Sequence, residues 1–288
     1  MKDLKKLVAD DNLRVELHDR IGHNLKKLLD AFDGEQFSNE EKYSPEEFKT
    51  RIEKCEELTE ELCKTQALLG YWGTINQSNL YTFSIENIAA ALRGSRDNNI
   101  WKAVKWHSVR LLFYHGGISA IASKNYQKLF RLFDLKVPPP DHLQKMVSVG
   151  EALLIVNSRI DNIYNKLIET DNHKTPLSEY LYQRINMTLN DVIYLGPLFE
   201  PCFDKFEIMY ALDYIDREHD EIPERVWGPI GRFGFKVYED NPFRHLVEEA
   251  EKLKENWQPL QAGLFGGSYE RFQKICTSFQ ERLQRFRW

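Results

Sequence analysis

The sequence predicts an all-α protein, and three observations carry that prediction. Apolar side chains recur at three- and four-residue steps in nearly every segment long enough to test, the period that lines one face of a helix. Runs with the two-residue alternation of a strand are scarce. Proline stands where a first helical turn accepts it, at Pro45 and Pro176.

Taken in chain order, Leu17, Ile21, Leu25, Leu28 and Phe32 mark a first amphipathic helix. Phe48, Ile52, Cys55, Leu58, Leu62 and Leu69 mark a second, within 46–69, with Glu and Lys between them. Val104, Leu111, Ile118 and Ala122 follow the same rule, and Gly116 and Gly117 are expected to weaken or bend that helix. Val137-Pro138-Pro139-Pro140 cannot be helix, because successive prolines lack amide donors and are locked in φ. It reads as a stiff connector between two packed helical halves, residues 1–136 and 141–288. Thr175-Pro176 with Glu179 opens a helix whose buried stripe is Leu181, Ile185, Leu189 and Val192. From Pro223 to about Tyr238 the helical pattern breaks into an aromatic and glycine-rich loop, whose rings require a dry environment. Ser268 then leads into Phe272, Ile275, Cys276, Phe279, Leu283 and Phe286, the face of a last helix.

Composition excludes several classes of function. A chain of 288 residues with 42% hydrophobic content buries a core without staples, so disorder throughout is excluded. Net charge is −5, which is not the balance of a general nucleic-acid coat. Four cysteines, none in a C-x-x-C spacing, suit a reducing compartment, and no apolar run approaches the length of a membrane span. The expectation is a cytoplasmic protein with neither signal nor membrane contact.

Charge is nonetheless uneven. Residues 93–136 hold nine basic and two acidic side chains, a net of +7 between acidic flanks. In this basic island Arg93, Arg96, Trp101, Lys102, Lys105 and Trp106 are candidates for a nucleic-acid or partner surface, the tryptophans offering rings to unpaired bases. The bland readings are a solvated helix face or a patch docking one of the acidic halves. Arg110 and His115 have the Arg-x4-His spacing of HEPN-type ribonucleases, in which histidine moves a proton at the 2′-hydroxyl and arginine holds the phosphate. Leu111 departs from the polar residue usual after that arginine. His115 also falls on the apolar stripe with Leu111 and Ile118, where a buried histidine is the bland reading.

Asp216 and His219 form one arm of the kind that carboxylate-bridged metal sites repeat, and no second arm accompanies it, so no metal and no cofactor is expected. Glu207 and Asp213 are placed to pair with Arg232 or another base of the second half. No P-loop, no G-x-G-x-x-G after a strand and no G-x-S-x-G elbow is present. Trp227, Arg232, Phe233 and Phe235 either brace the core between the halves or line a partner groove.

The order of several short pieces resembles a helical segment found downstream of effector domains, sirtuin-like or NTPase, in bacterial anti-phage defence proteins. Those pieces are Leu17-His18-Asp19-Arg20, Tyr71-Trp72-Gly73, the stretch from Leu111 to Ala120 followed by Tyr126-Gln-Lys-Leu129, Phe203-Asp-Lys-Phe-Glu207 with Ala211-Leu-Asp213, 227–234, and Gly263-Leu-Phe-Gly-Gly-Ser268. The resemblance implies a sensing, regulatory or scaffolding role, with catalysis in an adjoining effector domain or a protein partner. The expectation is therefore a non-catalytic module working by protein or ligand contact, with a homo-oligomer open. The alternatives are a metal-independent ribonuclease centred on Arg110 and His115, and a nucleic-acid-binding module using the basic island.

Overall fold

The structure, a computed structural model, describes residues 1–38, 43–94, 97, 99–141, 145–157, 161–164, 167, 174–218, 229–236 and 241–285. Helices follow one another as α1 Lys2–Ala9, α2 Arg14–Phe32, α3 Pro45–Trp72, α4 Ser78–Ala91, α5 Asn99–Ala122, α6 Tyr126–Asp134 and α7 Val149–Asn157. They continue as α8 Asp161–Tyr164, α9 Pro176–Ile193, α10 Phe199–Glu218, α11 Pro242–Leu253, α12 Gln258–Gln261 and α13 Tyr269–Arg285. The fold is all-α. Among the described residues the extended structure is one two-residue pair, β1 Lys136–Val137 antiparallel to β2 Val147–Ser148.

Local chemistry sets the helix starts. Ser44 Oγ accepts the Glu47 amide at 3.1 Å ahead of Pro45, and Asn125 caps α6 in the same way through the Lys128 amide. Ser268 Oγ accepts the Arg271 amide at the start of α13. Thr175, the residue before α9, makes no side-chain cap. Its carbonyl accepts the Glu179 amide instead, and Pro176 needs no acceptor in the first turn.

Helix α5 is the axis of the molecule. It packs against α3, α4, α6, α7, α9 and α10, and from Ala103 to Ile121 every residue of it is buried. The helix runs unbroken through Gly116 and Gly117. They let neighbours approach: a Cβ on Gly116 would sit 2.7 Å from Gln66 Nε2, and one on Gly117 would sit 2.0 Å from a ring carbon of Phe206 on α10. Backbone compactness, rather than helix interruption, is what these two positions supply.

Pro138, Pro139 and Pro140 are buried, and the strand leading into them pairs with β2. Buried side chains form one cluster running from Leu4 to Leu283, so the segments before and after the prolines share a core. Helices α1 and α2 close one side against α3, and α11 and α13 cover α10.

Candidate functional site

A helix enclosed on all sides ordinarily carries only apolar residues. Helix α5 instead carries Lys105, His107, Arg110 and His115 into the interior, where an uncompensated ionic group costs several kcal/mol, so each needs a partner. Lys105 reaches Asp97, with Nζ 3.0 Å from Oδ2, and both side chains are nearly enclosed. The other three define the polar interior of the protein.

Glu56 of α3 is the hub. Its Oε1 accepts from His107 Nε2 at 3.1 Å and from Tyr180 Oη at 2.8 Å, while Oε2 is bound by the Arg184 guanidinium. These contacts outweigh burial and hold the Glu56 carboxyl below its usual range. Burial lowers the His107 pKa even though Glu56 opposes it, so the ring is neutral at pH 7 with its proton assigned to Nε2. Nδ1 is then free to accept, and it lies 3.2 Å from both Arg110 Nη1 and Tyr164 Oη. Arg110 also donates to Tyr164 Oη at 3.2 Å and to Asn157 Oδ1, and its Nε has no partner. The cluster thus ties α3, α5, α7, α8 and α9 through one carboxylate, one neutral imidazole and two guanidinium groups.

This geometry separates the two residues expected to act together on RNA. Arg110 turns to His107, Tyr164 and Asn157. His115 donates from Nδ1 to the Leu111 carbonyl at 2.7 Å, and burial pushes its pKa down to about 4. Both are at most 2% exposed, so neither meets a phosphodiester without the uncovering of α5. The apolar period places His115 on the buried stripe, whereas it gives no sign that His107 is the histidine of the polar cluster. The available signal was Glu56, a carboxylate one turn after Ile52 on an otherwise apolar face.

The basic island divides in the same way. Trp101 and Trp106 are 1% and 0% exposed, which corrects the expectation that they offer a stacking surface; Trp101 instead lies under the Arg51 guanidinium at 4.1 Å. Lys105 is spent on Asp97. Arg93 is exposed and Lys102 half-buried, while Arg96 lies outside the described residues, so of the six proposed contact residues two remain within reach of solvent in the described chain. Lys128 also turns inward, its ammonium donating to the carbonyls of Leu69 and Gly73 at the end of α3, with burial lowering its pKa to about 8. Among the described residues the exposed basic side chains of the island are Arg93, Lys124, Arg131 and Lys136.

In the second half, a segment of the glycine and aromatic loop is fastened onto α9 and α10. Arg232 stacks 3.7 Å from the centre of Tyr182 and reaches Glu179 at 3.4 Å and Glu200 at 3.2 Å. Its amide donates to Ser178 Oγ at 3.0 Å, and that hydroxyl donates onward to the Glu207 carboxyl at 2.8 Å. Lys236 binds Glu200 and Asp204. Glu207 therefore does not pair with Arg232. Its partners are Ser178 and Tyr114, and burial raises its pKa to about 8. Gly231 is pressed onto it so closely that a Cβ would fall 1.9 Å from Oε2. Phe233 is buried against Phe279, and Phe235 is 39% exposed with Lys174 over its ring. Trp227 lies outside the described residues.

Asp213 pairs with Arg217 at 2.7 Å, and Asp216 is bound by Arg271 while His219 lies outside the described residues. Among the described residues no group of three or more His, Cys, Asp or Glu side chains is arranged to hold a metal ion, and no helix is long and apolar enough to cross a membrane. No known protein family, curated protein or solved structure matches the chain.

Proposed function

We propose that the chain is a non-catalytic sensor, regulatory or scaffolding module of a bacterial anti-phage defence system, acting in the cytoplasm through contact with a partner protein, an adjoining effector domain or a ligand. One observation supports the non-catalytic part: the two side chains that the sequence offers for chemistry are enclosed in α5, Arg110 bonded to Tyr164 and Asn157 on neighbouring helices and His115 to the Leu111 carbonyl of its own helix. Enclosed in this way, neither Arg110 nor His115 meets a substrate while α5 stays covered. The defence context rests on the resemblance of the short aromatic and glycine-containing pieces described above.

Two measurements test the reading. Purified protein incubated with total RNA and a chelator is expected to leave the RNA intact, and co-expression with the product of a neighbouring gene that carries an effector domain is expected to give a complex on size exclusion. Cleavage that disappears in His115→Ala, in a variant shown by circular dichroism to be folded, overturns the reading in favour of the ribonuclease. Salt-sensitive RNA binding lost in Arg93→Glu with Lys102→Glu replaces it with nucleic-acid recognition.

A further inference from the structure

A cleft of about 530 Å³ opens between α4 and α6. One wall is a polar stripe at four-residue steps on α4, formed by Ser78, Thr82 and Glu86. The other is α6 and its exit, with Lys128, Arg131 and Lys136. Its volume lies in the range of small-molecule sites, about 300–1,000 Å³, and well above the space an inorganic ion fills.

The charges around this cleft are not balanced in contact. Arg131 donates to the neutral Asn79 Oδ1 at 2.7 Å, which fixes its guanidinium against the α4 wall while leaving its charge unpaired. Among the described residues Lys136, exposed on β1, forms no ion pair, and the Lys128 ammonium is met by backbone carbonyls. On the acidic side, Asp134 lines the cleft and is engaged at 3.0 Å by Arg217, which lies outside it. That leaves Glu86, exposed on the opposite wall, as the unengaged carboxylate. A planar fork and a compact ammonium on one side are the groups that bind phosphate oxygens. A carboxylate among hydroxyls on the other accepts hydrogen bonds from a ligand's own hydroxyls, and would repel a second phosphate.

We propose that this cleft is a binding site for a small phosphate-bearing ligand of nucleotide size, with its phosphate on Arg131 and Lys136 and its hydroxyl-bearing part toward Glu86. The inference rests on the reading of the chain as a binding module and gives it a ligand class. Helix α6 is joined to the C-terminal end of α3 through Lys128, and the end of α6 is joined to α10 through Asp134 and Arg217. Occupancy is thus felt by two elements that pack on the central helix.

Isothermal titration of the full chain with AMP, ATP and inorganic phosphate, at fixed ionic strength, tests the site. AMP or ATP is expected to bind saturably at one per chain. Arg131→Glu and Lys136→Glu are each expected to weaken that binding at least about ten-fold, equivalent to about 1.4 kcal/mol. Arg93→Glu, an exposed charge of the same island outside the cleft, is expected to leave it unchanged. Glu86→Gln is expected to weaken AMP more than inorganic phosphate. Absence of saturable binding by all three probes, or equal binding by wild type and Arg131→Glu, overturns the proposal. Single-stranded RNA binding far more tightly than AMP through the same two residues also overturns it, in favour of a polymer surface. These failures leave co-elution with the effector intact, so they are distinguishable from failure of the broader reading.

Discussion

Replacement of Gly117 by alanine is the sharpest test of how α5 is held. The new Cβ would lie 2.0, 2.4 and 2.9 Å from three ring carbons of Phe206, against the 3.5–4.0 Å at which carbon atoms rest. The ring has no vacancy to enter. It is fully buried and met by Phe113 at 5.3 Å, Tyr114 at 4.8 Å and Phe133 at 5.9 Å between centroids. Overpacking of this kind costs about 1–3 kcal/mol and sometimes more, whereas alanine in place of glycine within a helix gains about 1 kcal/mol. With a clash this deep the steric term wins, by about 2 kcal/mol. At roughly 2–4 °C per kcal/mol for chains somewhat smaller than this one, Gly117→Ala should lower the melting temperature by about 4–8 °C. Gly22 provides the opposite control: it lies inside α2 with no atom within 4 Å of the added methyl, so Gly22→Ala should be stabilising by about 1 kcal/mol. Differential scanning calorimetry on both variants, together with Gly117→Ala combined with Phe206→Leu, reads the balance. If Gly117→Ala matches or exceeds wild-type stability while Gly22→Ala stabilises, the close approach of α5 and α10 is not what the glycine serves.

Three further outcomes follow from the polar interior. Glu56→Gln keeps the shape of the hub but removes the charge that faces Arg184 and the His107 ring, and should destabilise by about 1–3 kcal/mol in urea unfolding at pH 7; a neutral result would mean that the cluster is not held by that carboxylate. His115 has a folded pKa below its unfolded value of about 6.5, so its contribution is complete above that pH and is lost as pH falls toward 4; His115→Leu should therefore show a shallower loss of stability over that window, by up to about 1.4 kcal/mol per pH unit. Glu207 works with the opposite sign, since its folded pKa is raised to about 8: its contribution is complete below the unfolded value of about 4.5 and is lost as pH rises toward 8, and Glu207→Gln should flatten the stability profile between those limits. An unchanged profile in either variant would place the titration elsewhere.

The apolar periodicity of the chain was enough to locate α2, α3, α5, α9 and α13, because each presents a stripe to a neighbour and that stripe repeats with the helical turn. It could not reveal that α5 is covered on every side. A fully enclosed helix is recognised by uniform hydrophobicity, and Lys105, His107, Arg110 and His115 break that uniformity, with partners at Asp97 for Lys105, on α3, α7 and α8 for His107 and Arg110, and at the Leu111 carbonyl of α5 for His115. Those partners lie 47 to 57 residues away for His107 and Arg110, beyond any local pattern. For the same reason, charge density misplaced the basic island. A count of charges does not distinguish an ammonium facing water from one capping a helix end, as Lys128 does. The triple proline illustrates a related limit: its stiffness was readable, whereas its burial follows from neighbours that close over it.

The arrangement of charge inside the molecule bears on how a contact at its surface would be transmitted. An apolar core of this size tolerates small slips between helices, because hydrophobic contacts are non-directional. The Glu56 cluster and the Ser178, Glu207 and Tyr114 contacts do not, since moving one helix leaves a buried donor or acceptor without its partner at about 1–3 kcal/mol each. Helix α5 contributes to both sets, through His107 and Arg110 at one level and Tyr114 two turns later. Displacement of α9, which holds Tyr180 and Arg184 on the first set and Ser178 on the second, therefore disturbs both at once and with a threshold rather than by degrees. On the proposed reading, a partner's contact with α9 or with the loop fastened to it would either leave both sets intact or break them together.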